Sequence, residues 1–256
     1  MSNSIFSLAD KIALVTGARQ GIGKAIAMAF AQAGADVVVC DQVLEDGKLK
    51  TTADEIQGFG RRSLPVQTDI TRRSDVDKLV QRVIDEFGRI DILVNNAGVL
   101  IMSPLLELSE GDWDKTVDTN LKGCYFCCQA VGRRMSKQKK GNIINIASGV
   151  ATKAVPLHGA YCATKAGVLM LTRVLALELG KSNIRVNAIC PGLTKTDMTK
   201  DMWSTSPELI KHIETTVALG RLGEPADLGR AAVFLASDAS SYITGHSILV
   251  DGGFYA

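Results

Sequence analysis

Short apolar runs alternate with longer segments of helical period along almost the whole chain. The runs Ile12–Thr16, Val37–Cys40, Ser63–Val66, Ile90–Val94, Asn142–Ala147, Arg185–Ile189 and Ser247–Val250 have the length and β-branched content of strands. Gly21–Ala33, Asp75–Phe87, Trp113–Met135 and Ala160–Leu179 space their apolar residues as helices do. Ala13-Leu14-Val15 and Val37-Val38-Val39 show no polar alternation, which implies burial on both faces. Strand and helix in strict succession predict an α/β fold, a doubly wound parallel sheet of about seven strands with helices on both faces. Right-handed crossovers then open a ligand crevice at the carboxyl ends of the strands.

No repeat, low-complexity tract or linker interrupts the pattern, so residues 1–256 read as a single dinucleotide-binding and catalytic domain. The one irregular stretch is Gly192–Glu224, with Met198, Met202, Trp203 and Pro207 and a short helical piece near Glu208–Thr215. Following a strand end, it is expected to form a substrate lid around 193–216.

Composition narrows the function classes. A chain 46% hydrophobic and 22% charged builds a substantial core, and a net charge of +2 favours neither nucleic acid nor an anionic membrane as partner. The densest basic run, Arg133, Arg134, Lys137, Lys139 and Lys140, falls where a helix should end and complements its dipole. Six cysteines lack zinc-type spacing. Cys124, Cys127 and Cys128 share one predicted helix without a nearby histidine, so they read as small buried hydrophobes. No metal site is expected. Reduced thiols, no signal-like N-terminus and no apolar run of membrane-spanning length suit a cytoplasmic setting.

The chemistry-bearing residues follow predicted strand ends. The first strand runs into Thr16-Gly17-Ala18-Arg19-Gln20-Gly21-Ile22-Gly23, and a helix begins. Gly17 permits a tight turn, Gly21 lets the backbone approach a pyrophosphate, and Gly23 lets the helix pack on the sheet. The positive helix end then faces the phosphates, as in Rossmann-type folds. The GxxxGxG spacing implies a wider loop than GxGxxG. Asp41 ends the second strand, where a carboxylate accepts from the adenosine ribose and repels a 2′-phosphate, so NAD is predicted as cofactor. Arg19 is the one group in the loop that keeps NADP as a less favoured alternative. Asp69, with Ile70 beside it, follows the third strand at the adenine end. Asn95-Asn96-Ala97-Gly98 ends the fourth, where small and amide residues let the chain pass close to the cofactor and brace the neighbouring strand.

Ser148 ends the fifth strand, and thirteen residues later Tyr161-Cys162-Ala163-Thr164-Lys165 opens a helix. Spacing of i and i+4 puts phenol and ammonium on one helix face. That spacing alone is weak; its place after a crevice serine gives it meaning. Removing hydride from a carbinol requires loss of the hydroxyl proton. A phenol near 10 is expected to be drawn toward working pH by the ammonium and by the oxidised nicotinamide. Ser148 would orient the substrate oxygen.

Thr16–Gly23, Asn95–Gly98, Asn120, Ser148, Tyr161, Lys165 and Pro191-Gly192 together resemble the short-chain dehydrogenase/reductase family, and the likeness runs on through Ile243-Thr244-Gly245 and Val250–Gly253. The resemblance implies a catalytic tetrad of Asn120, Ser148, Tyr161 and Lys165, Asn120 anchoring a water that relays protons through Lys165. It also implies that Lys165 binds the nicotinamide ribose, and that Pro191, Gly192, Thr194 and Thr196 flank the carboxamide and phosphates. A homotetramer is implied as well. The wide apolar stripe of Ala160–Leu179, the Cys-rich helix before it and the Phe254-Tyr255 tail suggest its contacts.

The expected reaction is hydride transfer between NAD(H) and a secondary alcohol or ketone. A sugar, polyol or other small hydroxy compound competes as substrate with a 3-oxoacyl thioester, whose carrier would want a basic mouth such as Lys195, Lys200 and Lys211. A non-catalytic NAD-binding sensor should have lost Tyr161, Lys165 or Ser148, and all three stand. His158 precedes Tyr161 by three residues; a loop residue without a site role accounts for it better than a place at the substrate mouth.

Overall fold

A computed structural model describes residues 4–204 and 207–255. The order is β1 (Ile12–Thr16), α1 (Gly21–Gln32), β2 (Asp36–Asp41), α2 (Lys48–Gly58), β3 (Ser63–Gln67), α3 (Arg73–Phe87), β4 (Ile92–Asn95) and α4 (Glu110–Val117). There follow α5 (Cys124–Gln138), β5 (Gly141–Ile146), α6 (Gly159–Leu179), β6 (Ile184–Pro191), α7 (Lys200–Ser204), α8 (Pro207–Thr216), α9 (Pro225–Ala236) and β7 (Ser247–Val250).

The strands form one sheet of order β3-β2-β1-β4-β5-β6-β7, all neighbours parallel. The order reverses beside β1, so the crevice opens between the carboxyl ends of β1 and β4. β1 and β2 lie between two cores. Leu14, Val38 and Cys40 join α3 and α5 on one side; Ala13, Val15, Val37 and Val39 join α1, α2 and α9 on the other. That division is why these strands read as unbroken apolar runs.

One predicted helix is not uniform. In place of Trp113–Met135, a helical path runs from Glu110 to Gln138 with a π-helical turn at Asp118–Gly123 between α4 and α5. The turn carries one residue more than the 3.6 period provides for, and such turns cluster at functional sites. Asn120 lies in it, buried. The basic run does surround a helix end: α5 stops at Gln138 and Lys139 takes a left-handed conformation, φ 56°. A second departure concerns α6. By length and composition the stretch Gly159–Ser182 is apolar enough to cross a membrane, contrary to expectation. Its inner face packs on the sheet, while Met170, Val174 and Leu177 stand exposed.

A polar seam ties this helix to the sheet. Asn95 Nδ2 donates to Asn145 Oδ1 (2.8 Å), and Asn145 Nδ2 donates to Thr172 Oγ1 (2.9 Å). Three buried side chains thus fix β4, β5 and α6 in one register.

Candidate active site

At the switch point lies a cavity of about 440 Å³ lined by the ends of β1, β2, β4, β5 and β6 and the segments after them. Every residue expected to touch the cofactor borders it except Gly23. Gly23 stands behind the loop. A Cβ there would meet Gly17 O at 2.2 Å and Asn96 Nδ2 at 2.4 Å, so helix and sheet approach through a gap only glycine leaves. Gly17 turns with φ +63°, in the left-handed region. Asn96 Nδ2 donates to Thr16 O and Gly17 O, each at 3.0 Å, and Thr16 Oγ1 accepts from the Asn96 and Ala97 amides. The β4 end therefore braces the glycine loop, as its residues predict.

The residues fit a dinucleotide. The helix-capping position Gln20 makes no side-chain hydrogen bond to the first turn of α1, and no acidic residue stands in that turn. Free N–H groups and the helix dipole consequently face the cavity. Asp41 Oδ1 accepts from Val43 N (3.1 Å), and burial raises its carboxyl above the ordinary value, with Arg19 opposing the rise. Asp69 spends one oxygen on Thr71, N at 3.0 Å and Oγ1 at 2.7 Å. Pro191 ends β6 and Gly192 follows it. Thr194 turns inward and donates to Gly192 O (3.1 Å), while the Thr196 methyl lies 3.5 Å from where a Gly21 Cβ would stand. The segment after β6 thus covers the glycine loop.

At the other end of the cavity Ser148, Tyr161 and Lys165 converge. Ser148 and Tyr161 border the same end of the cavity, and the Lys165 ammonium lies 5.5 Å from the Tyr161 ring centroid. Lys165 Nζ donates to Ile146 O (2.8 Å), which ties the helix to the end of β5. Burial draws Lys165 down to about 8. It pushes the Tyr161 phenol up to about 12, the nearby Ser148 hydroxyl acting the other way. The expected lowering of the phenol by Lys165 is therefore not realised in the chain alone. The ammonium is directed at a backbone carbonyl, and desolvation of the phenolate outweighs it.

Asn120 does not border the cavity. Its amide donates to Val99 O (2.9 Å) and accepts from Val99 N (2.8 Å). Both ends of its side chain are thereby committed, and they hold Val99 and Gly98 over Lys165: a Cβ on Gly98 would lie 3.1 Å from Asn120 Oδ1 and 3.7 Å from Lys165 Nζ.

Two features of the wall depart from the sequence reading, which ranked a place at the substrate mouth second for His158. His158 is 8% exposed and borders the cavity, its ring 6.4 Å from that of Tyr161. Its Nδ1 sits 2.8 Å from Pro156 O, which can only accept, so Nδ1 carries a proton there. The three-residue spacing before Tyr161, one helical turn, was the available signal. The second feature is the Phe254-Tyr255 tail, expected at a subunit contact. The Asp251 carboxylate accepts from Gly253 N and Tyr255 N (2.9 Å each) and turns the tail inward, so both rings border the cavity. The Tyr255 ring lies where a Cβ on Gly149 would be, 2.1 Å away.

Cys124, Cys127 and Cys128 are buried free thiols. Among the described residues no three His, Cys, Asp or Glu side chains gather as a metal site.

This geometry defines a nicotinamide-dependent oxidoreductase, and comparison with known proteins gives its family. A family model described as enoyl-(acyl carrier protein) reductase matches residues 17–255, and the chain belongs to the short-chain dehydrogenase/reductase family. It is 40% identical to an NAD-dependent glycerol dehydrogenase of Listeria innocua over 97% of this chain and 95% of that one. It is 40% identical to a 3-oxoacyl-(acyl-carrier-protein) reductase of Staphylococcus epidermidis over 96% of this chain and 99% of that one. The crystal structure of a gluconate 5-dehydrogenase from Burkholderia cenocepacia in complex with NADP and tartrate superposes with a TM-score of 0.94 at 32% identity, covering 100% of this chain and 99% of that one. The protein is a dehydrogenase or reductase that moves hydride between a nicotinamide dinucleotide and a secondary alcohol or ketone.

Proposed function

We propose that the protein oxidises a small hydroxylated secondary alcohol with NAD, Tyr161 acting as general base and, in reverse, as general acid. The observation that carries this is the convergence of Ser148, Tyr161 and the buried Lys165 at the far end of a cavity that begins at the glycine loop. When bound, NAD would supply the hydride acceptor and a positive ring that favours the phenolate. Tyr161 takes the hydroxyl proton. Ser148 orients the reacting oxygen and stabilises charge on it. Lys165 would hold the nicotinamide ribose and add its charge beside the phenol. Asn120 positions Val99 and Gly98 above Lys165.

The ribose end supports NAD, since Asp41 ends β2 at the cavity, where its carboxylate would repel a 2′-phosphate. A small alcohol is favoured over an acyl-carrier thioester because Lys195, one candidate for a basic mouth, is paired with Glu224 at 3.2 Å. Residues 193–216 are assigned as the substrate lid; Thr194, Thr196, Met198 and Met202 border the cavity, and 205–206 lie outside the described residues. Exposed Met170, Val174 and Leu177 on α6 support a homotetramer, and six free thiols support a cytoplasmic enzyme.

The test is NAD reduction across polyols, sugar acids, simple secondary alcohols and 3-hydroxyacyl thioesters. Wild type should turn over a hydroxylated alcohol. Tyr161→Phe should lose turnover while NADH fluorescence titration shows binding retained. Turnover surviving in Tyr161→Phe would overturn the mechanism.

A further inference from the structure

Arg19 is the only charged residue in the glycine loop Thr16–Gly23. In NADP-binding sites such a cation is free to pair with the 2′-phosphate. Here its guanidinium is held from two sides. Nη1 donates to the Asp46 carboxylate, and Nε lies 3.7 Å from Asp41 Oδ1, buried and without a hydrogen-bond partner of its own. Asp46 is itself fixed. Its Oδ1 accepts from Lys48 N (3.1 Å) at the start of α2, where the helix dipole favours a negative charge. Two carboxylates around one guanidinium leave this end of the cavity with one net negative charge. The Lys48 ammonium donates to Gln20 Oε1 (3.1 Å) and stands 4.0 Å from Asp197.

We propose that Asp46 is a specificity-determining residue that holds Arg19 away from a 2′-phosphate and so helps commit the site to NAD. Asp41 repels that phosphate directly. Asp46 acts at one remove, as a positioning residue working through Arg19. An arginine already bonded to a carboxylate must break a charge-assisted hydrogen bond before it can fork onto phosphate oxygens. Neutralising Asp41 alone therefore removes the repulsion without supplying the cation. Removing Asp46 as well frees Arg19 to bind. The inference rests on the NAD-linked oxidoreductase reading given above.

Fluorescence titration with NADH and NADPH tests it on the full chain, using wild type, Asp46→Asn, Asp41→Asn, the double variant, and the double variant carrying Arg19→Gln. Wild type should bind NADH more tightly than NADPH, and Asp46→Asn should keep the NADH affinity, which also reports that it folds. The double variant should bind NADPH at least about tenfold more tightly than Asp41→Asn, a gain on the scale of one charge-assisted bond. Arg19→Gln should erase that gain, and Asp46→Glu in place of Asp46→Asn should withhold it. Equal NADPH affinity with and without Asp46 in the Asp41→Asn background would overturn the inference. So would a gain that survives Arg19→Gln, or a wild type that already binds both dinucleotides equally. Wild type that binds neither overturns the oxidoreductase reading, and the inference with it. NADH binding with no Asp46 effect overturns the inference alone.

Discussion

Replacing Lys165 by methionine should change the pH dependence of stability in a way that can be worked from its surroundings. Lys165 is 4% exposed, and burial lowers it from 10.5 to about 8. One pKa unit corresponds to about 1.4 kcal/mol, so keeping this ammonium charged inside the fold at neutral pH costs about 3 kcal/mol. Below pH 8 folded and unfolded chains both hold the proton, and the cost is present in full. Between 8 and 10.5 the folded chain releases it first, the unfolded chain binds more protons, and stability rises with pH. Tyr161 opposes this only above its ordinary value of 10, where the unfolded phenol ionises while the folded one, pushed up to about 12, does not.

The informative window is therefore pH 7 to 9.5, over which wild type should gain about 2 kcal/mol relative to Lys165→Met. Methionine relieves the buried charge but leaves Ile146 O without its donor, a loss of about 1–3 kcal/mol. The two proteins should then be nearly equal at pH 7, with wild type the more stable at pH 9.5. Urea denaturation at a fixed protein concentration measures both. A difference that stays flat across the window would refute the buried-ammonium reasoning.

The site makes two further outcomes testable. Ser148→Ala removes the hydroxyl that shares the cavity end with Tyr161 and should lower kcat by about 10²–10³-fold with little change in the KM for NAD; single-turnover kinetics with kcat within a few-fold of wild type would exclude Ser148 from the reacting oxygen. Gly23→Ala places a methyl 2.2 Å from Gly17 O, so the loop must shift, and NADH fluorescence should show cofactor binding largely lost. Unaltered binding there would mean that the glycine loop does not carry the pyrophosphate.

Much of the frame was legible because burial on both faces writes itself into the chain. β1 and β7 fall on the residues that periodicity marks, and other strands shift by a residue or two at their ends. Ser148, Tyr161 and Lys165 could be placed together because a strand end and a helix start fix where side chains point. The π-helical turn was not legible, since Trp113–Met135 has helical period on either side of it and one extra residue leaves no compositional mark. The partner of Arg19 was hidden for another reason: Asp46 lies 27 residues away, and only the pairing of β1 with β2 brings the two loops together. The placing of His158 at the cavity wall depends on a local bond to Pro156 O, a detail of geometry and not of spacing. The Tyr161 phenol moved against expectation because the cost of burial is collective, set by everything that excludes water, whereas sequence shows only the single charged neighbour.

The extra residue at Asp118–Gly123 also bears on how this gene can change. A helix of constant pitch could lose a codon anywhere along this path and merely rotate its downstream turns by about 100°. Here the surplus residue is what lets α5 keep its thiols in the core while Asn120 faces Val99. Losing one codon from 118–123 would straighten the path into a regular α-helix, a backbone more favourable taken alone, and would pull these two faces out of phase. The stretch is thus poised so that the mutation most kind to local structure is among the most damaging to the whole.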